Sequence, residues 1–235
     1  LTYSKKGYNG MSQNMHKFVR EHIVRGKWKY KERPVLLNSW EANYFDITEE
    51  KLINLAKAGK DIGIELFVVD DGWFGQRNSI HNGLGDWYVN KDKLPNGLAH
   101  LVDEINKIGL DFGIWIEPEM INKNSELYKK HPNWVLENPN AQHSEGRNQC
   151  MLDLTNNEVV DYMVKEIGNI LSSANISYVK WDMNRIFSDY YSAGLPYESQ
   201  GEVPHRYVLG FYKMAKALTE KFPEILFEGC CGGGN

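Results

Sequence analysis

From residue 35 onward, short apolar runs alternate with stretches in which apolar residues recur at helical spacing. Consecutive apolar or β-branched residues are typical of buried strands, whereas apolar residues three or four positions apart indicate one face of a helix. The runs that predict strands are residues 35–40, 66–69, 112–116, 151–154, 177–182 and 225–228. The stretches that predict helices are residues 48–63, 98–109, 125–130, 155–171 and 208–222.

Residues at the ends of these stretches support the helices. Thr48 stands where an N-cap is expected, and Gly63 and Gly109 stand at exits, where glycine readily adopts the conformation that ends a helix. Thr155 and Glu158 have the spacing of a capping box, in which each side chain satisfies a free backbone N–H. Six strands joined by helical crossovers predict a parallel sheet with its helices outside.

Two architectures fit this alternation, an open doubly wound sheet and a closed barrel. A barrel brings all strand ends into one mouth, whereas an open sheet gathers only a few of them at its switch point. Nearly every predicted strand ends on charged, amide, thiol or aromatic residues: Trp40, Asp70, Asp71, Trp115, Glu117, Asp153, Asp182, Asn184 and Cys230. No Gly-x-Gly-x-x-Gly follows the first strand, which argues against a dinucleotide site. The sequence therefore predicts an α/β fold, a (β/α)8 TIM barrel with about six of its eight strands in this chain.

Residues 1–34 are polar and aperiodic except around residues 15–23. We interpret them as a leader or linker that packs on the outside of the barrel, and residues 35–235 as the barrel itself, truncated at its C-terminal end. The chain starts at Leu1 and ends on a glycine run, so both ends look cut. The lack of a signal peptide is therefore uninformative about the parent protein.

Composition narrows the class of protein. The 235 residues are 42% hydrophobic with a net charge of -4, enough apolar mass for one core. No basic stripe indicates nucleic acid, and no apolar run approaches the roughly 20 residues of a membrane span. Cys150, Cys230 and Cys231 do not make a disulfide framework, because the adjacent pair would need a strained ring. Reduced thiols favour a cytoplasmic location.

The stretch from Tyr178 to Arg185 is the most informative. Alternate residues of a strand share a face, so Lys180, Asp182 and Asn184 are predicted to line the inner side of the barrel near its mouth. A carboxylate beside a fixed ammonium stays ionised, which a glycosyl nucleophile requires. The alternative is a buried ion pair that braces the barrel. The position at a strand end, together with Asn184, favours the functional interpretation.

Asp70 and Asp71 end the second strand. Two adjacent carboxylates at a barrel mouth can bind a divalent metal or accept hydrogen bonds from sugar hydroxyls. A hard cation usually wants further oxygen ligands, and histidines at zinc-type spacing do not occur. The alternative is a turn cap before Gly72, which is reasonable for one of the two carboxylates but not for both.

Three further features have a functional and a structural interpretation. Trp115 is either a wall for a sugar ring or part of the barrel core. Arg147 lies in a loop where a solvated charge is the simpler explanation. The glycine-rich end from Cys230 to Gly234 gives a ligand close access to backbone N–H groups. A phosphate cradle would need a Gly-Lys-Ser or Gly-Lys-Thr sequence, which is lacking.

At these residues the chain resembles the bacterial α-galactosidases of glycoside hydrolase family 36, the group that cleaves melibiose and raffinose. The resemblance covers nearly the whole chain, and seven motifs in the right order are stronger evidence than any one of them. The motifs are Asn38-Ser-Trp40-Glu-Ala, Val69-Asp-Asp-Gly-Trp73-Phe, Gly85-Asp-Trp87 with Lys93-Leu-Pro-Asn-Gly97, Trp115-Ile-Glu-Pro-Glu119-Met, Glu145-Gly-Arg147-Asn-Gln, Lys180-Trp-Asp182-Met-Asn184-Arg and Phe227-Glu-Gly-Cys230.

The resemblance implies hydrolysis of terminal non-reducing α-D-galactose residues with retention at the anomeric carbon. Asp182 would be the nucleophile, and Asp70 and Asp71 would hold galactose hydroxyls. Trp40 and Trp115 would shape the pocket wall. The remaining implied sugar contacts are Arg147, Lys180, Asn184, Cys230, Gly232 and Gly233. The family uses no metal and no organic cofactor, and its expected partners are α-galactoside oligosaccharides, not nucleic acid or membrane.

The chain departs from the family pattern at Cys231, where a small residue such as Ser is expected, and at Asn235, where Gly is usual. The general acid/base is expected beyond Asn235, so this chain would lack it. Related enzymes are often tetramers, which implies a homo-oligomeric parent protein. Two alternatives stay open: a galactosyl transferase of the raffinose- or stachyose-synthase type, and a catalytically incomplete galactose-binding barrel.

Overall fold

The computed structural model describes residues 2–142, 144 and 146–231. The chain divides into two compact units, Leu1–Pro34 and Val35–Asn235. The first unit contains helix α1 (Gly7–Phe18), a π-helical turn (Val19–Ile23) and a 3-10 turn (Lys27–Lys29), and none of these described elements has a buried residue. The packing of this unit on the outside of a barrel stays a prediction.

The second unit is built of strands and helices that alternate along the chain. Its strands are β1 (Leu36–Asn38), β2 (Leu66–Val69), β3 (Asp111–Ile116), β4 (Met120–Ile121), β5 (Cys150–Met151), β6 (Tyr178–Asp182) and β7 (Leu226–Cys230). Its α-helices are α2 (Trp40–Asn43), α3 (Glu49–Asp61), α4 (Leu98–Lys107), α5 (Glu126–Lys130), α6 (Asn157–Ser172) and α7 (Val203–Lys221). Two 3-10 turns cover Pro132–Trp134 and Tyr197–Glu202.

Five strands form one parallel sheet in the order β1-β2-β3-β6-β7. Leu66 pairs with Leu36 on one side and Asp111 on the other, and Tyr178 pairs with Gly113 and Leu226. All four residues of β2 are buried, as expected of a parallel strand between covering layers. The prediction of an α/β fold with a parallel sheet is confirmed.

The fourth predicted strand, residues 151–154, does not join this sheet. Cys150–Met151 instead pairs antiparallel with Met120–Ile121, the segment just after β3, and the Leu152 N–H donates to the Glu119 carbonyl oxygen at 2.9 Å. The prediction of six parallel strands was therefore wrong, and the described sheet has five. A short apolar run does not indicate which strand it will pair with, and this one pairs with the two-residue strand β4.

Several boundaries also differ from the predictions. Thr48 caps α3 as predicted, its Oγ1 accepting from the Lys51 N–H at 3.2 Å. At α6, however, Asn156 accepts from the Glu158 N–H at 2.9 Å, while Thr155 Oγ1 donates to Asp153 at 2.6 Å. The predicted capping box is thus replaced by an asparagine cap. The first predicted strand also stops early, since residues 40–43 turn into α2.

None of the described helices is long and apolar enough to cross a membrane. Cys150 and Cys230 are buried thiols, and Cys231 is an exposed thiol. A cytoplasmic location stays a prediction.

Candidate active site

The carboxyl ends of the parallel strands surround a cavity of about 300 Å³. Its lining residues are Trp40, Glu41, Asp70, Asp71, Trp115, Arg147, Lys180, Asp182, Asn184 and Cys230. Every predicted site residue in the described part of the chain is therefore on its wall. Gly232 and Gly233 lie outside the described residues. Glu41, which the sequence pattern did not indicate, accepts a hydrogen bond from the Tyr44 hydroxyl at 3.0 Å.

Strand register explains why residues so distant in sequence meet here. Trp115 on β3 is paired with Lys180 on β6, and Asp182 is paired with Cys230 on β7. Asp70 follows the last residue of β2, Val69, whose partner is Ile114. Because parallel strands end at the same edge of a sheet, side chains at these positions converge on one cavity.

Asp182 is surrounded by hydrogen-bond donors. Its Oδ2 accepts from the Trp115 indole Nε1 at 3.1 Å, and its Oδ1 accepts from the Met183 backbone N–H at 3.0 Å. Burial acts to raise the pKa of Asp182, but hydrogen bonds from Asn184, Trp115 and Cys230 and the charge of Lys180 outweigh it. The net pKa lies below the ordinary value, so this carboxylate is ionised at neutral pH.

Lys180 forms its ion pair with Asp70, not with Asp182. Its Nζ lies 2.8 Å from Asp70 Oδ2, which also accepts from Asn38 Nδ2 at 2.6 Å. Burial acts to lower the pKa of Lys180, yet the Asp70 charge and hydrogen bond raise it above its usual range. Lys180 and Asp182 both line the cavity, as predicted. The direct ion pair between them that the sequence suggested is replaced by the pair of Lys180 with Asp70.

Asp71 pairs with Arg77, a residue for which the sequence carried no functional signal. Arg77 Nε and Nη2 lie 2.9 and 2.7 Å from the two carboxylate oxygens of Asp71, and the arginine is fully buried. Each carboxylate of the Asp70–Asp71 pair thus faces a cation of the protein. Among the described residues, no group of three or more His, Cys, Asp and Glu is placed to hold a metal ion.

Trp115 proves to be both core and cavity wall. It is only 1% exposed, and its ring lies nearly parallel to Phe74 at a centroid distance of 6.0 Å. Its contribution to the cavity is therefore mainly its indole N–H, which reaches Asp182. Trp40 is half-buried and makes edge contacts with Tyr44 and Phe45, each at 5.1 Å.

Arg147 is presented to the cavity by a tight turn. Arg147 and Asn148 have φ angles of 54° and 57°, and the Gln149 N–H donates to the Gly146 carbonyl oxygen at 3.0 Å. Two successive positive φ angles define a type I′ turn, which residues other than glycine adopt at some cost. The arginine is exposed, but it is held in a defined backbone conformation, unlike a freely solvated loop charge.

Glu117 is fully excluded from solvent. Its Oε1 accepts from the Asn184 backbone N–H at 2.5 Å, and its Oε2 accepts from Gln149 Nε2 at 3.2 Å. Burial raises the pKa of Glu117 to about 7, with the charges of Asp182 and Asp71 acting in the same direction. The glutamate links the strand end that carries Asn184 to the turn that carries Arg147.

A family model described as melibiase matches residues 1–235. The chain belongs to the melibiase family. It is 53% identical to α-galactosidase AgaA of Geobacillus stearothermophilus over 234 residues, which cover 100% of this chain and 32% of AgaA. It is 49% identical to α-galactosidase Mel36A of Lactobacillus acidophilus, again over 100% of this chain and 32% of the relative. The resemblance noted in the sequence is confirmed.

Solved structures of this family superpose closely on the chain. A variant of AgaA in complex with stachyose matches with a TM-score of 0.96 and 52% identity, covering 99% of this chain and 32% of AgaA. An AgaA variant in complex with raffinose matches with a TM-score of 0.94 and 53% identity, covering 97% and 32%. The chain thus spans about a third of the length of these relatives.

Proposed function

We propose that the protein containing this chain hydrolyses terminal non-reducing α-D-galactose residues from galactosides such as melibiose and raffinose, with retention at the anomeric carbon. The observation that carries the proposal is Asp182, an ionised carboxylate on the wall of a cavity that also presents Asp70 and Asp71. The α-galactosidase relatives, and the raffinose and stachyose bound by AgaA variants, support the substrate class.

In the first step, an Asp182 oxygen attacks the anomeric carbon while the bond to the leaving oxygen breaks, which gives a covalent galactosyl-enzyme. Water then attacks the same carbon and releases Asp182. The donors around Asp182 suit this role because they hold the carboxylate ionised and oriented before substrate arrives. Two inversions at one carbon give net retention.

The other cavity residues would bind the sugar. Asp70 and Asp71 offer carboxylate oxygens to galactose hydroxyls, and their fixed partners Lys180 and Arg77 set the direction of those oxygens. Trp40 would cover an apolar face of the ring. The remaining proposed contacts are Trp115, Arg147, Lys180, Asn184 and Cys230, with Gly232 and Gly233 outside the described residues.

A retaining glycosidase needs a second carboxyl group about 5–5.5 Å from the nucleophile to protonate the leaving group. We propose that this acid/base lies outside the 235 residues.

The sheet would likewise be part of a (β/α)8 barrel completed by the longer protein, in keeping with relatives of which this chain covers 32%. A homo-oligomeric state and a cytoplasmic location are proposed only from the sequence resemblance and the cysteine content.

The test compares two substrates and one substitution. We expect the longer protein to hydrolyse melibiose, and the 235-residue chain alone to act only on 4-nitrophenyl α-galactoside, whose leaving group needs no proton. Asp182→Asn should lower the rate on the aryl galactoside by about a thousandfold or more. Asp161→Asn, at an exposed position on α6, is the matched control.

Three outcomes would count against the proposal. Efficient melibiose hydrolysis by the chain alone would contradict an external acid/base. Galactose transfer to excess sucrose in place of water would favour the transferase. Galactose binding without aryl galactoside turnover, unchanged by Asp182→Asn, would favour a binding barrel.

A further inference from the structure

Arg77 is a buried cation that touches the cavity only through another residue. It is 0% exposed, and Asp71 is 6% exposed. Three hydrogen bonds join them, from Nε to Oδ1 at 2.9 Å, from Nε to Oδ2 at 3.1 Å and from Nη2 to Oδ2 at 2.7 Å. A fork of this kind sets the plane of a carboxylate as well as its charge.

The other side of the guanidinium is anchored in the protein. Arg77 Nη1 donates to the Asn82 carbonyl oxygen at 3.0 Å and to Asn122 Oδ1 at 3.2 Å, and the ring of Phe45 lies 5.5 Å from its central carbon. Arg77 therefore cannot rotate without breaking contacts on both sides. These contacts, which lie outside the cavity, therefore fix the direction of the Asp71 oxygens.

Asn122 extends this anchor to the turn that carries Arg147. The fully buried side chain accepts from Arg77 and from the Leu84 N–H at 2.8 Å, and its Nδ2 donates to the Asn148 carbonyl oxygen at 2.8 Å. Asn148 is the second central residue of the turn that presents Arg147. One continuous set of hydrogen bonds, buried at Asp71, Arg77 and Asn122, therefore runs to that turn.

We propose that Arg77 is a positioning residue for sugar binding, which holds the Asp71 carboxylate directed into the cavity from an anchor shared with the Arg147 turn. This inference rests on the proposed function, because it assumes that Asp71 holds a galactose hydroxyl. Arg77 itself would not touch the sugar.

The electrostatics of Asp71 make the inference testable. Burial raises the pKa of Asp71 above its ordinary value, and the hydrogen bonds and charge of Arg77 act against that rise. The other charged groups that face Asp71 are Asp70, Lys93 and Glu117. Without Arg77, burial and the neighbouring carboxylates would drive Asp71 toward the protonated form, which presents an O–H in place of an acceptor oxygen.

The experiment compares Arg77→Met, Arg77→Lys and the control Arg206→Met, which removes an exposed guanidinium paired with Glu202. The carboxyl carbon of Asp71 would be followed by NMR across pH 5 to 9, with Asp71→Asn for assignment. Galactose affinity would be measured by calorimetry over the same range.

For Arg77→Met we expect Asp71 to titrate at higher pH than in the wild type. Galactose affinity should fall by about 100-fold at pH 6 and recover in part as pH rises and Asp71 ionises. Arg77→Lys keeps a charge but loses the fork, so the affinity should fall by about tenfold with little change in pH dependence. Arg206→Met should match the wild type.

An unchanged titration of Asp71 and an unchanged pH dependence of galactose binding in Arg77→Met would overturn the inference. If Arg77→Met does not fold, wild-type affinity in Arg77→Lys would overturn it instead. The wild type could bind no galactose while Arg77→Met raises the pH at which Asp71 titrates. In that case the proposed function fails, and the control of Asp71 by Arg77 stands.

Discussion

Individual side chains in the cavity find partners that strand spacing does not predict. Lys180 lies two residues from Asp182, yet it pairs with Asp70, which follows a strand on the far side of β3. Asp182 is held mainly by neutral donors, among them the Trp115 indole. A lysine side chain is long enough to reach several carboxylates. Alternation along one strand therefore indicates which residues share a face, but not which carboxylate the lysine pairs with.

Trp115→Phe tests the indole as a donor to the nucleophile. Loss of the 3.1 Å hydrogen bond removes one cause of the lowered pKa of Asp182, so this pKa should rise. The acidic limb of kcat/KM for 4-nitrophenyl α-galactoside should therefore move to higher pH. At neutral pH, kcat/KM should fall by about tenfold, the effect of one hydrogen bond to a charged group.

Trp87→Phe is the matched control for that experiment. Trp87 belongs to the same aromatic cluster, with its ring 6.3 Å from that of Trp115, but its Nε1 has no hydrogen-bond partner among the described residues. Trp87→Phe should therefore leave the acidic limb of the kcat/KM profile at the same pH as in the wild type. An equal displacement of the limb in both variants would mean that packing, not the hydrogen bond, sets the pKa of Asp182.

Among the elements, the segment of residues 150–154 behaves least as predicted. Its sequence looks like a strand, but Cys150–Met151 pairs antiparallel with β4 and Leu154 then packs against α7. A Cβ on Gly210 of α7 would lie 1.9 Å from the Leu154 carbonyl oxygen, so this helix packs directly against backbone. The glycine is required by tertiary contact, since local helix propensity would favour alanine there.

Gly210→Ala should therefore destabilise the protein even though alanine is the better helix former. We expect a loss of about 2 kcal/mol in the free energy of unfolding, because backbone must move to admit the methyl group. Urea denaturation would measure it.

Gly168→Ala in α6 is the control for this effect. Its Cβ would meet only the flexible end of Lys221, at 3.0 Å, so it should be neutral or stabilising by up to about 1 kcal/mol. Equal effects at the two positions would show that the contact with Leu154 is unimportant.

Considered as a whole, the molecule buries carboxylates close enough to Asp182 for their charges to interact with it, Glu117 and Glu119 among them. Glu119 is 1% exposed, and its two carboxylate oxygens share the single N–H of Trp181 Nε1, each at 2.8 Å. Burial raises its pKa to about 8, and the charges of Glu117 and Asp182 add to the effect. A carboxyl group whose pKa is raised on folding stabilises the folded state at low pH. That contribution is lost as pH rises from the unfolded value, about 4.5, through the folded value.

Glu119→Gln should flatten this pH dependence. Glutamine keeps an oxygen for the Trp181 N–H but cannot ionise, so the variant should gain on the order of 3 kcal/mol over the wild type between pH 5 and pH 8. Urea denaturation at several pH values would measure the difference. For Glu220→Gln, at an exposed position of α7, the free energy of unfolding should depend on pH as it does in the wild type. A wild-type stability that does not fall relative to Glu119→Gln in this range would contradict the raised pKa.

The sequence by itself determined the parallel α/β architecture, the family and the cavity residues in the described part of the chain, apart from Glu41. Buried strands, helix faces and strand-end positions are local patterns, and the ends of parallel strands meet whatever the details of packing. Arg147, which lies in a loop, was indicated only by the resemblance to the family. Only the tertiary structure decided that residues 150–151 leave the sheet, that Lys180 pairs with Asp70, and that Arg77 and Glu117 support the cavity. These contacts join residues far apart in the chain, and they depend on side-chain reach and burial, for which a linear sequence has no local signal.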